Sequence, residues 1–149
     1  MPESLPKVDR RARRLLTLRA MGWLCLARIL IAAVPFHRWR QSLGSRDPAR
    51  EETRPAISHD EEIALARRCA VQVERAAWRL PAEFKCLPKA MALSWMLRRQ
   101  AVRHCVVIAA RPMEDRELAD ALHAWVEAGD EIVIGDLPGP WHEIFRAGR

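Results

Sequence analysis

Three short segments carry side chains able to do covalent chemistry: Lys85-Cys86-Leu87-Pro88, Leu122-His123-Ala124-Trp125-Val126-Glu127 and Gly135-Asp136. In chain order they offer a thiol, an imidazole and a carboxylate. Such a set is the cysteine form of the nucleophile, base and orienter used in acyl transfer. Many chains contain one Cys, one His and one Asp, so the weight falls on the elements that must bring them together.

Ala121 to Val126 is apolar and reads as a short strand, Glu131-Ile132-Val133-Ile134 as a second, and Ala128-Gly129-Asp130 between them is a turn signal. With Gly129-Asp130 as a two-residue hairpin loop, Ala128 faces Glu131 and, in unbroken register, His123 faces Asp136. Directly opposed residues have Cβ atoms roughly 5 Å apart, within reach of a side-chain hydrogen bond. Glu127 is on the same face as His123 but roughly 13 Å further along the strand. The pairing depends on register, since a shifted turn places Ile134 opposite His123. Trp125 is expected on the other strand face, packed in the core.

Cys86 precedes a helical pattern over Lys89 to Arg99, with Ala90, Leu93, Met96 and Leu97 on one stripe. Proline is tolerated only in the first turn of a helix, so Pro88 places the helix start within a residue or two of Cys86. A thiol there sees the positive end of the macrodipole, and Lys85 and Lys89 add positive charge; both favour thiolate. The same helix end supplies free N–H groups for an oxyanion.

A Cys opening a helix, then His-Ala-Trp-Val-Glu on a strand, then an Asp ending the next strand, resembles the transglutaminase-like cysteine proteases. More narrowly, Phe84-Lys85-Cys86-Leu87-Pro88-Lys89-Ala90 with His123-Ala124-Trp125-Val126-Glu127 is similar to the stand-alone leader peptidases of lasso peptide biosynthesis. The resemblance implies a Cys86, His123, Asp136 triad. It implies a cytoplasmic enzyme that cleaves a leader from a ribosomally made precursor peptide. It also implies a small leader-recognition protein as partner, with the lasso cyclase a further candidate and nucleic acid not among them. No cofactor or metal is required. A transglutaminase or amide ligase with the same triad is the alternative among enzymes; a non-catalytic basic binding module is the alternative outside them.

At 149 residues, half of them apolar, the chain is long enough for one buried core. Cys25, Cys69, Cys86 and Cys105 show neither a disulfide framework nor a zinc pattern, which suits reduced thiols. His104 beside Cys105 is a weak metal pair, because neighbours on a strand point to opposite faces.

The net charge of +6 is concentrated at one end: residues 1–50 hold eleven Lys/Arg against three Asp/Glu. That asymmetry points to an interaction segment there. Residues 1–50 are therefore read as a basic N-terminal helical segment and 51–149 as the protease core of one compact domain. Within the first, Met21 to Val34 is an apolar run behind Arg10, Arg11, Arg13 and Arg14. Arg28 interrupts it and Pro35 ends it, so it reads first as a core-packing helix. An interfacial helix in contact with a membrane, or a docking helix, is the alternative.

Gln41 to Ile57 reads as a linker. Ser58-His59-Asp60-Glu61 is a capping box that opens an amphipathic helix ending near Pro81, with His59 exposed at its start. Cys105 to Ala109 reads as a buried strand and Pro112 to Asp120 as a charged loop. Pro138 to Arg149 reads as a docked irregular segment, with His142 as an alternative base. The expected fold is α+β, a transglutaminase-like or papain-like core with helices on a small antiparallel sheet.

Overall fold

The computed structural model describes residues 9–44, 57–112 and 121–148. The first helix, α1 (Arg10–Ala33), is capped by the Asp9 carboxylate and stops where Val34 turns extended ahead of Pro35. A single turn, α2 (Phe36–Trp39), runs into a 3₁₀ turn at Arg40–Ser42. The remainder of the expected linker, residues 45–56, lies outside the described residues, as do residues 113–120 of the expected charged loop.

Helix α3 (His59–Arg79) opens with the capping box the sequence dictates: the Ser58 hydroxyl accepts from Glu61 N–H, and the Glu61 carboxylate accepts from Ser58 N–H. It ends at Leu80, again extended before a proline. Helix α4 (Cys86–Arg99) is buried on all sides from Ala90 to Leu97, so it is the central helix rather than a one-sided one.

Four strands follow: β1 (Cys105–Ala110), β2 (Leu122–Ala128), β3 (Glu131–Ile134) and β4 (His142–Gly148). They form one antiparallel sheet in the order β3-β2-β1-β4. The fold is thus α+β, as expected. The stretch read as an irregular tail contains β4, which corrects that expectation. Glu143-Ile144-Phe145-Arg146 alternates well enough to pair with β1, and β1, buried at every position, needs a partner on each edge.

Helix α1 is built into the same core as α3 and α4. Its inner stripe of Thr17, Ala20, Leu24 and Ala27 is buried, and the Thr17 hydroxyl donates to Gln72 Oε1 of α3 at 2.8 Å. By length and composition alone this helix could cross a membrane, yet one side of it is packed under the helices. Its other side exposes Leu15, Leu18, Leu26 and Ile29.

A buried polar chain ties the parts together. Gly44 N–H donates to Ser94 Oγ at 3.0 Å, and Ser94 Oγ lies 2.8 Å from His104 Nε2. His104 Nδ1 lies 2.8 Å from the Val102 carbonyl. A carbonyl only accepts, so Nδ1 carries the proton, and Nε2 accepts from Ser94.

Candidate active site

Cys86 is the first residue of α4, half-buried, with Lys85 as an extended N-cap that supplies no side-chain hydrogen bond. Pro88 sits in the first turn as expected. The N–H groups of Cys86 and Leu87 therefore have no helical partner. Lys89 does not offer a free charge to the thiol, because its ammonium is 2.8 Å from the Glu74 carboxylate of α3.

His123 is half-buried on β2, where Ala124, Val126 and Ala128 point into the core beneath the helices and His123, Trp125 and Glu127 take the other face. Trp125 therefore shares the face of His123, contrary to expectation: residues two apart on a strand always do. The two rings are 6.1 Å apart. On its far side the imidazole stacks on Trp141 at 5.1 Å, and the Arg111 guanidinium covers that indole at 4.6 Å.

The hairpin begins as the sequence dictates, with Ala128 opposite Glu131 and Glu127 opposite Ile132. Then Val126 pairs with Ile134, so Val133 is an extra residue and the register moves by one. The direct opposition of His123 and Asp136 that a regular ladder would give is lost. What His123 Nε2 meets is the carbonyl oxygen of Gly135, in a short hydrogen bond. That contact puts the proton on Nε2 and leaves Nδ1 with the lone pair a base needs. Asp136 is the next residue and is exposed. The structure thus brings His123, Gly135 and Asp136 to one end of the β2–β3 pair. It sets Cys86 at the start of α4, which packs on the face of β2 opposite His123, so it does not bring the thiol and the imidazole together. No hydrogen bond joins Cys86 Sγ to the imidazole among the described residues.

The sequence singles out Gly135 only as the neighbour of Asp136, because a backbone acceptor leaves no side-chain signal. Its φ of +82° and the space around it explain the residue type: a Cβ there would lie 2.6 Å from the Ala124 carbonyl oxygen. Gly135→Ala is accordingly expected to destabilise the fold by about 1–3 kcal/mol, read as a lowered midpoint in thermal melting, and to displace the carbonyl that holds His123.

The other candidates are occupied or inert. Glu127 accepts from Trp125 Nε1 and Arg146 Nη1; burial pulls its pKa up, but these bonds outweigh it and the net shift is downward. His142 is exposed at the start of β4. His104 has both ring nitrogens engaged by Ser94 and Val102, which leaves neither for a metal. Burial raises the thiol pKa of Cys69, against a Gln100 hydrogen bond, and of Cys105, against Arg146. Ser94 and His104 form a hydroxyl–imidazole pair but are sealed in the core.

A family described as the transglutaminase-like superfamily matches residues 27–145, a span that includes Cys86, His123 and Asp136. No curated protein and no solved structure matches the chain.

Proposed function

Since the chain belongs to the transglutaminase-like superfamily, whose members are typically cysteine-dependent enzymes, we propose that it is a cysteine peptidase that removes the leader from a lasso peptide precursor. The observations that support this reading are a thiol at the start of the helix that packs on β2 and, on the other face of that strand, an imidazole whose tautomer is fixed, both within the family's span. Cys86 attacks the scissile carbonyl carbon. His123 Nδ1 takes the thiol proton and later delivers it to the leaving amine. Asp136 stabilises the imidazolium, with the Gly135 carbonyl holding the ring. The free N–H groups of Cys86 and Leu87 face the oxyanion. Water then hydrolyses the thioester, releasing the carboxylate and the free thiol. Catalytic hydrogen bonds of this kind are often long in the free enzyme and tighten with substrate bound.

The direct test is cleavage of a synthetic leader-bearing precursor peptide, with mass spectrometry of the products. Leader and core fragments that differ from the precursor by one added water are expected. A large rate gain is expected when a small leader-recognition protein is added, and equal rates with and without it at matched concentration would sink that part of the proposal. An amine incorporated in place of water assigns the chain to the ligases instead.

A further inference from the structure

Helix α3 and strand β3 run side by side in the same direction. A Cβ on Gly129 would touch His59 and Ile63 of α3, Arg67 pairs with Glu131, and Glu74, Arg75, Gly135 and Asp136 line one shared cleft. That cleft has a volume of about 580 Å³ and is walled by Val71 on the helix and Ile132 and Val133 on the strand.

Two features mark it as more than a seam. Strand β3 is an edge strand that, among the described residues, pairs with β2 alone and has no strand on its outer edge. Large apolar side chains also stand exposed on both sides. Val71 and Ile132 are in the walls, Leu137 follows the strand, and Trp78 lies two helical turns past Val71 on the same stripe of α3. Trp78 is 90% exposed. An edge strand flanked by exposed apolar side chains, with an uncovered indole one turn further along α3 than Glu74, is what a partner strand would cover.

One end of the cleft, where Glu74 of α3 and Gly135 after β3 lie, leads to the candidate catalytic groups. Glu74 is bound to Lys89, one turn after Cys86 on α4, and Gly135 is bound to His123. We infer that an extended segment of the peptide substrate lies in this cleft as an added strand on the β3 edge, its alternate apolar side chains on Val71, Ile132 and Trp78. Main-chain hydrogen bonds to β3 supply affinity, and side chains at alternate positions supply selection. The cleft then aims the scissile bond at the first turn of α4. This inference rests on the peptidase reading.

Val71→Glu, Ile132→Glu and Trp78→Ala change exposed side chains and leave the melting temperature in place. Two measurements test them. In the cleavage assay each is expected to raise KM at least roughly fivefold with kcat little changed, as for lost ground-state binding. In the Cys86→Ala background, anisotropy of a fluorescein-labelled synthetic precursor is expected to show the same loss of affinity without turnover. If the parent enzyme cleaves and the three variants keep its KM, the cleft assignment is overturned and the peptidase reading stands. If the labelled precursor binds and the variants weaken it, yet the parent never cleaves, the cleft survives and the peptidase reading falls. Variants that alter only the oligomeric state in size-exclusion chromatography, with KM unchanged, would assign the cleft to a second copy of the chain and overturn the inference.

Discussion

Cys86→Ala is expected to abolish peptide cleavage, a loss of at least about a thousandfold, since no other group of the site can form the acyl-enzyme. The side chain is half-buried at the very start of α4 and is shorter by one atom in the variant, so the helix and the melting temperature are expected to survive. Asp136→Asn should follow with a smaller loss. It keeps the shape and removes the charge, and at least roughly tenfold in rate, about 1.4 kcal/mol, is expected. Glu127→Gln and Asp130→Asn should each do less, the first because Glu127 is committed to Trp125 and Arg146. Progress curves for the four variants on one precursor decide the matter. Parent-rate cleavage by Asp136→Asn would leave the Gly135 carbonyl as the sole orienter of His123. Parent-rate cleavage by Cys86→Ala would end the cysteine mechanism.

The second large effect concerns stability against pH. His104 is 1% exposed, and burial, partly opposed by its hydrogen bond to Val102, lowers its pKa from 6.5 to about 4. The folded chain therefore holds the ring neutral where the unfolded chain has already bound a proton. Above pH 6.5 neither state is charged and stability is full. As pH falls from 6.5 towards 4 the unfolded state gains protons that the folded state refuses, so stability declines, by about 3 kcal/mol in all. That corresponds to roughly 6–12 °C in melting temperature for a chain of this size. The carboxylate shifts of Glu61 and Glu127 act at lower pH, since both are downward from 4.5. His104→Gln should start from a lower melting temperature and lose most of the slope between pH 6.5 and 4. An unchanged slope would assign the acid sensitivity to some other group.

Local signals in the sequence located most of the elements that hold the site. The Ser58 capping box, Pro88 in the first turn of α4 and the Gly129-Asp130 turn each act through their nearest neighbours, and each appears where its chemistry requires. Failures occurred where distant parts decide. The extra residue at Val133 has no signature in the local pattern, and one such residue is enough to leave His123 on a carbonyl rather than opposite a carboxylate. Strand β4 lies behind Pro138, Gly139 and Pro140, which mask its alternation, and only the unmet edge of β1 calls for it. The Gly44–Ser94–His104 chain spans sixty residues and leaves no periodic trace. Trp125 is a different case: strand alternation alone already places it beside His123.

The outward side of α1 makes the protein an amphiphile. From Leu15 through Leu18 and Gly22 to Leu26 and Ile29 that side is apolar and uncovered, and from Arg10 to Gly44 the chain has no acidic side chain to break up its positive field. Apolar area of this kind gains about 25 cal/mol for each Å² withdrawn from water, so mass action favours any contact that hides it as concentration rises. The consequence is a solute whose activity coefficient changes with its own dilution. Rates per molecule and elution volumes are expected to follow protein concentration and salt, and a detergent monolayer or a glass wall to compete for that surface.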